Sequence, residues 1–228
     1  LIGKMPIFDT ICMSLGAAGT GGFACRNSGQ AGYTVYQQAV LSIAMILFGI
    51  NFNVYYLLLI RKPKEAFKGD LAIILAAVAL ITINIRSMFP SLFLAAHHAL
   101  FQVASIITTT GYSTVDFDKW PEFSKCIIVL LMFIGACAGS TGGGMKVSRI
   151  MIAFKEAKRE ISTMIHPRSV KVLKYEGKVI GNDTLRVLNC YIIAYFMLFV
   201  ASVLIVSLDN YDFTTSFTAV AANFNNIG

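Results

Sequence analysis

The sequence has few charged side chains. Asp, Glu, Lys and Arg make up 14% of its 228 residues, whereas an ordinary soluble domain contains about 25%. Hydrophobic residues make up 56%, and the mean hydropathy is +0.68. This composition excludes an ordinary soluble domain and indicates a membrane protein.

Motifs of catalysis, metal binding and cofactor binding are also missing. The five cysteines show neither CxxC nor Cys/His spacing, which argues against a metal site. The run Gly139-Ser140-Thr141-Gly142-Gly143-Gly144 does not match the phosphate-binding pattern GxxxxGK[ST], because Met145 precedes Lys146. Ser140 lacks the Gly-x-Ser-x-Gly elbow of a hydrolase. We therefore predict that the chain is not an enzyme and binds no cofactor.

The net charge of +7 does not indicate a nucleic-acid partner, because the basic residues have no aromatic interleaving or DNA-binding signature. Of the 19 Lys and Arg residues, four lie at 61–68 and ten at 146–186. The positive-inside rule places both segments on the cytoplasmic side. The sequence thus predicts a multi-pass protein of the cytoplasmic (inner) membrane, surrounded by lipid.

The longer apolar segments suit membrane crossing, for which roughly 20 residues are needed. Residues 36–60 and 185–208 are long enough, and residues 71–85 need extension or tilt. Residues 123–161 would measure about 58 Å as one helix. The glycine-rich run interrupts this helix, so we expect residues 139–144 to lie inside the bilayer.

Three shorter apolar segments, 6–18, 91–107 and 213–224, are expected to be re-entrant half-helices. Adjacent residues on a helix point about 100° apart. We therefore expect His97 and His98, in the second of these segments, to serve packing or separate hydrogen bonds rather than one shared site.

Each half-helix leads into a polar turn, and alignment of the turns sets Gly22, Gly111 and Gly228 in equivalent positions. Non-helical backbone at membrane depth is tolerated only where it is buried in protein or lines water. Turns of this composition present main-chain carbonyls to a cation. A single such turn is most often only a turn, but the order of span, half-helix, turn and span recurs, as in an assembly of repeated units around an axis.

Two alternatives stay open at this point. An ion-coupled secondary transporter with broken helices also has glycine interruptions at mid-membrane, although its repeats are commonly inverted, whereas these run in the same sense. The glycine-rich run also suits a close crossing of helices, where small residues let backbones approach.

In these motifs, and in His166-Pro167-Arg168, the chain resembles the pore-forming membrane subunit of the Trk/Ktr/HKT superfamily of potassium transporters. The resemblance implies an all-α membrane protein of repeated span, re-entrant pore-helix, span units, similar to a potassium channel folded in one chain. It also implies potassium ion as the substrate, a homodimer, and a cytoplasmic nucleotide-binding regulatory subunit as partner. The chain would begin inside the second pore helix and stop within the fourth filter.

The resemblance also implies a division of the chain. Residues 1–60 are expected to form the second pore repeat, and residues 61–165 the third repeat with its glycine-rich intramembrane loop. A cytoplasmic segment would occupy residues 166–184, and the fourth repeat would start within residues 185–228.

The predicted site has two parts. Main-chain carbonyls of three turns are expected to replace the hydration shell of K⁺. This filter comprises Thr20, Gly21, Gly22, Phe23, Thr109, Thr110, Gly111, Tyr112, Asn225, Asn226, Ile227 and Gly228. The gating loop comprises Gly139, Ser140, Thr141, Gly142, Gly143, Gly144 and Lys146. We expect Ser140 and Thr141 to hydrogen-bond across the passage, and Lys146 to repel cations or pair with a carboxylate.

Overall fold

A computed structural model of the chain describes residues 3–26, 28–49, 55, 70–137, 139–166, 172–175 and 178–227. Several predicted features lie outside these residues: the basic segment 61–68, Pro167, Arg168, Gly228 and most of the second half of the predicted span 36–60.

The described part of the chain is mostly α-helical. Its helices are α1 (Ile7–Ala18), α2 (Val35–Gly49), α3 (Asp70–Ile85), α4 (Leu92–Ile107), α5 (Glu122–Ile134), α6 (Val147–Ile165), α7 (Asn182–Ser207) and α8 (Phe213–Phe224). The three predicted half-helices are confirmed as short helices, α1, α4 and α8. Two short strands, β1 (Lys174–Tyr175) and β2 (Lys178–Val179), pair antiparallel inside the predicted cytoplasmic segment. This hairpin is not predicted from the sequence.

Within the described residues, only α7 is both long and apolar enough to cross a membrane by itself. Helices α1, α2 and α4, and residues Ala72–Met88, are apolar but shorter. Helix α7 has 26 residues, of which Tyr195 and Phe199 are among the few buried. Most of its side chains face outward, as expected for a helix in contact with lipid.

Local signals determine where two of the short helices begin. Ser91 precedes α4, and its hydroxyl accepts a hydrogen bond from the Leu94 N–H at 3.2 Å. Asp212 precedes α8 and accepts hydrogen bonds from the Thr215 hydroxyl at 2.6 Å and the Thr215 N–H at 3.0 Å. These bonds lower the pKa of the Asp212 carboxyl. Ser and Asp are preferred at this position because they satisfy an N–H that has no partner inside the helix.

Helix α4 is the centre of the packing. One set of its side chains, including Ala99 and Val103, joins a cluster with α3, α5, α7 and α8. Another set, Phe101 and Ala104, packs with α1 and α2 around Met45. The turn that follows α4 is therefore held between helices on two sides.

The break between α5 and α6 is longer than predicted. Helix α5 ends at Ile134, because Gly135 takes a left-handed φ of 69° that a right-handed helix cannot contain. The chain then folds back, and the Met145 N–H donates to the Phe133 carbonyl at 3.1 Å. A Cβ on Gly144 would lie 2.7 Å from the Gly135 Cα, so the backbones at the two ends of the loop are in contact. The predicted loop at 139–144 is thus part of a longer break between the helices, to which the described residues 135–137 and 145–146 also belong.

Candidate functional site

Helices α1, α4 and α8 end in the same backbone turn. The residue after each helix C-cap has a left-handed φ, which is 52° at Thr20, 57° at Thr109 and 58° at Asn226. Glycine usually occupies this position. A β-branched residue with a positive φ is a genuine outlier, and such strain clusters at functional sites.

The same backbone hydrogen bond closes each turn. The residue after the left-handed one donates its N–H to the carbonyl five residues back. The three bonds are Gly21 to Gly16 at 2.8 Å, Thr110 to Ser105 at 2.8 Å and Ile227 to Ala222 at 2.9 Å. This is the 6→1 bond of the Schellman motif. The three turns that align in the sequence therefore share one backbone conformation.

Glycines bring the three turns together. A Cβ on Gly22 would overlap with the Thr110 carbonyl oxygen, and one on Gly111 would overlap with the Ile227 carbonyl oxygen. Both glycines also have a positive φ, 69° and 85°. In each case the contacted carbonyl belongs to the second residue after the C-cap of the next half-helix. The first turn therefore contacts the second as the second contacts the third, and only glycine fits at these two positions.

The glycine-rich loop lies against the C-terminal ends of the half-helices. A Cβ on Gly142 would be 2.9 Å from the carbonyl oxygen of Thr108, the C-cap of α4. A Cβ on Gly143 would overlap with the carbonyl oxygen of Asn225, the C-cap of α8. The loop backbone thus approaches the equivalent carbonyl in two of the units.

Two polar contacts connect the loop to the turns. The Gly143 N–H donates to the Thr109 hydroxyl at 2.7 Å. The Thr141 hydroxyl donates to the carbonyl of Ala18, the last residue of α1, at 3.4 Å. The loop therefore contacts all three units, while a hydrogen bond of Thr141 across an ion passage stays a prediction.

Ser140 and Lys146 have different partners from those predicted. The Ser140 hydroxyl donates to the Cys137 carbonyl at 2.8 Å, inside the loop and not across a passage. The Lys146 ammonium donates to the carbonyls of Gly142 and, at 3.4 Å, of Ser140. Among the described residues no carboxylate forms a salt bridge with Lys146. Because the Lys146 ammonium binds two carbonyls of its own loop, it stabilises the loop fold.

The aromatic residues of the predicted filter are placed in two different ways. Tyr112 is 1% exposed, and its hydroxyl donates to the Phe23 carbonyl at 3.5 Å. Phe23 is 84% exposed. Tyr112 therefore joins the second turn to the first, while Phe23 stays largely exposed.

An ion pair holds the chain after the first turn. The Arg26 guanidinium binds the carboxylate of Asp9, in the first turn of α1, with N to O distances of 2.7 and 2.8 Å. The Tyr33 hydroxyl donates to the same carboxylate at 3.1 Å. Burial, followed by this hydrogen bond, raises the pKa of Tyr33 to about 12. Tyr33 therefore stays a protonated donor at neutral pH.

The two histidines of α4 have separate partners, as predicted. His97 Nε2 lies 2.8 Å from Gln38 Oε1, and His98 Nδ1 lies 2.9 Å from Thr114 Oγ1. Gln38 belongs to α2, and Thr114 follows the second turn. Gln38 is not predicted as a member of this buried cluster, because a polar residue at the start of an apolar span has no distinctive signal.

The first part of the loop is also absent from the sequence prediction. Gly135 and Ala136 precede the predicted run, and the Ala136 carbonyl accepts the Val147 N–H at 3.3 Å. Composition could have indicated this longer break, because residues 135–138 are also small.

Known proteins share both the sequence and the fold. The sequence profile of the family described as TrkH, cation transport protein, matches residues 71–228. The Trk system potassium uptake protein TrkH of Salmonella typhimurium is 29% identical, over 98% of this chain and 48% of that protein. The Trk system potassium uptake protein TrkG of Escherichia coli is 30% identical, with the same coverage.

A solved structure with the same fold is the crystal structure of the potassium transporter TrkH from Vibrio parahaemolyticus. It matches with a TM-score of 0.92 at 28% identity, over 100% of this chain and 51% of that chain. The chain thus spans about half the length of the relatives it matches. With the profile covering more than half of its residues, this chain belongs to the TrkH cation transport protein family.

Proposed function

We propose that this chain contributes a filter and a gate to a pathway for potassium uptake across the inner membrane. The observation that carries the proposal is the repeated turn after α1, α4 and α8, with one backbone conformation in all three units. The relatives are potassium uptake proteins, which supports K⁺ as the transported ion.

The helix termini favour a cation at the turns. Each half-helix directs its C-terminal end at the place where the turns meet, and a helix C-terminus carries about half a negative charge. The filter consists of the carbonyls of residues 20–23, 109–112 and 225–228, which replace the hydration shell of the ion. In this arrangement the units 1–60, 61–165 and 185–228 act as pore repeats, separated by the cytoplasmic segment 166–184.

The same orientation of the units argues against an inverted-repeat secondary transporter. The glycine of the first turn contacts the Thr110 carbonyl, and the equivalent glycine of the second turn contacts the equivalent Ile227 carbonyl. Each unit therefore contacts the next in the same sense. In inverted repeats, corresponding units have opposite senses across the membrane. A channel-like pathway with parallel units is therefore the better account.

The loop 139–144, with Lys146, acts as the gate. Its glycine backbone contacts carbonyls at the ends of α4 and α8, on the side of the turns that faces the half-helices. Glycine has low backbone barriers, so the loop moves without breaking a helix. The Lys146 ammonium, bound to two loop carbonyls, keeps a positive charge beside the passage.

The proposed partners rest on the family resemblance and on the basic segments of the sequence. A homodimer and a cytoplasmic nucleotide-binding regulatory subunit complete the assembly. The basic segments supply its docking surface, and anionic lipid headgroups compete for the same side chains.

Substitution of Gly111 by Ser in the full-length protein tests the filter. The new Cβ overlaps with the Ile227 carbonyl, and the φ of 85° disfavours any side chain. We expect lower K⁺ uptake and a lower ratio of K⁺ to Na⁺ uptake, measured in cells without other K⁺ uptake systems. Gly181→Ser is the matched control, because a Cβ there meets nothing within 4 Å. Unchanged uptake and selectivity in Gly111→Ser, at equal protein level, would contradict the filter.

A further inference from the structure

Gln30 holds the chain directly behind the second turn. It lies in the 3₁₀ turn Gly29–Gly32, between α1 and α2, and is 2% exposed. Its N–H donates to the Ser113 carbonyl at 3.3 Å, and its side-chain Oε1 accepts the Ser113 N–H at 3.2 Å. One residue of the first unit therefore satisfies both backbone groups of the residue after Tyr112.

The Gln30 amide is itself held in one orientation. Its Nε2 donates to the Met13 sulfur at 3.6 Å, which leaves Oε1 facing Ser113. Its main-chain carbonyl accepts the Gln38 Nε2 at 2.9 Å, and Gln38 Oε1 contacts His97 Nε2 on α4. The contacts that hold Gln30 thus come from α1 and α2, and His97 of α4 in turn contacts Gln38.

The segment that Gln30 binds has no regular structure to hold it. Residues 110–113 form neither helix nor strand, and Ser113 is the place where the chain leaves the turn. Buried backbone N–H and C=O groups need a partner. Without Gln30, the hydrogen bond of the Tyr112 hydroxyl to the Phe23 carbonyl, at 3.5 Å, is the one hydrogen bond among the described residues that still joins residues 110–113 to the first unit.

We infer that Gln30, which lies outside the predicted filter, is a positioning residue for ion selectivity. It sets the separation between the carbonyls of residues 109–112 and those of residues 20–23. Selectivity in a carbonyl filter depends on cavity size or on the number and field of the coordinating carbonyls. A change in this separation therefore alters the preference for K⁺ over Na⁺. The inference rests on the proposed filter function.

The test is Gln30→Met in the full-length protein. Met keeps the length and approximate volume of the side chain but removes the acceptor for the Ser113 N–H. We expect the ratio of K⁺ to Na⁺ uptake to fall about fivefold, the factor that corresponds to one lost hydrogen bond. Gln30→Glu keeps an acceptor oxygen at the same place, and its ratio should lie closer to that of the unaltered protein.

Gln37→Met is the matched control. The Gln37 amide also makes two hydrogen bonds, with the Thr34 N–H at 2.9 Å and the Gly3 carbonyl at 2.7 Å. Neither partner belongs to the three turns after α1, α4 and α8. A merely structural loss lowers K⁺ and Na⁺ uptake together and leaves their ratio unchanged. The ratio is measured per amount of protein in the membrane.

The outcomes distinguish a failure of the inference about Gln30 from a failure of the proposed filter. If Gly111→Ser changes the ratio and Gln30→Met does not, the inference is overturned and the filter stands. The inference is likewise overturned if Gln37→Met lowers the ratio as much as Gln30→Met. If Gly111→Ser also leaves the ratio unchanged, the filter itself fails. If Gln30→Met does not accumulate in the membrane, Gln30→Ala takes its place, because Ala also lacks an acceptor for the Ser113 N–H. A ratio lower than that of Gln37→Met then supports the inference, and a ratio equal to it overturns the inference.

Discussion

Thr20, Thr109 and Asn226 adopt a backbone conformation that their side chains disfavour. An L-residue in the left-handed region costs about 1–2 kcal/mol relative to its right-handed conformation. Asn is one of the few non-glycine residues that visit this region often, whereas Thr is β-branched and does not. The two threonines therefore keep a strained turn that glycine would relieve.

Replacement of Thr20 by Gly should accordingly stabilise the protein. Among the described residues the Thr20 hydroxyl bonds to the neighbouring Gly19 carbonyl, at 2.8 Å, and the side chain is buried, so its packing is lost as well. After this loss and the larger unfolded-state entropy of Gly are allowed for, we expect a net gain of about 0.5 kcal/mol. Thermal unfolding of the full-length protein in detergent measures it.

Ala17→Gly provides the comparison for this prediction. Ala17 lies in the ordinary helical part of α1, where Gly costs about 1 kcal/mol relative to Ala. The two substitutions should thus shift the unfolding temperature in opposite directions. A shift of the same sign in both would show that the turn at Thr20 is not strained.

At the scale of elements, the glycine-rich loop is tied to the turn after α4 through one side chain. The Thr109 hydroxyl accepts the Gly143 N–H at 2.7 Å, while the Gly142 and Gly143 backbones lie against the ends of α4 and α8. The loop therefore contacts the turn through a hydrogen bond that a single side-chain substitution removes. It contacts the helix ends through close packing of backbone atoms.

Replacement of Thr109 by Val should weaken the hold of the loop. Val keeps the shape and the β-branch of Thr but leaves the Gly143 N–H without its acceptor, at a cost of about 1 kcal/mol. If the loop is the gate, K⁺ flux through the full-length protein should rise about fivefold. Flux per protein in reconstituted vesicles is the measurement.

Thr109→Ser retains the hydroxyl and should restore the flux of the unaltered protein. A Val variant with unchanged flux would mean that this hydrogen bond does not restrain the loop. Equal changes in Val and Ser would point to packing at the turn instead of the hydrogen bond.

At the scale of the whole molecule, the loop contacts the C-terminal ends of all three half-helices. Its contacts reach Ala18 of α1, Thr108 after α4 and Asn225 after α8. In the proposed function, such a position would let one movement of the loop act on the whole pathway. The proposed regulatory subunit would control that movement through α6, which follows the loop directly.

Deletion of Thr141 and Gly142 should remove this control. The shortened loop no longer reaches Ala18 or packs against Thr108, so we expect a higher K⁺ flux and a weaker dependence of that flux on the regulatory subunit. Flux is measured with and without that subunit, at equal protein level. Ser140→Ala, which affects a bond inside the loop only, should keep the dependence. Full dependence after the deletion would leave the loop a packing element.

The sequence by itself determined the class of the protein, the short helices and the places of the turns. Low charge, segment lengths and aligned glycines are local properties, and the bounds of α1, α4 and α8 agree with the predicted half-helices to within a residue. These features depend on composition and on helix start signals such as Ser91 and Asp212, which act on neighbouring residues.

Only the tertiary structure decided which groups meet. No pattern in the sequence links Gly143 to Thr109 or Gln30 to Ser113, because these contacts depend on how separate helices pack around α4. The bonds of Lys146 to loop carbonyls likewise depend on how the loop folds against those helices. The early end of α5 has the same origin. Gly135 was compatible with a helix by composition, and its contact with the Gly144 backbone becomes possible only once the loop has folded back between the ends of α4 and α8.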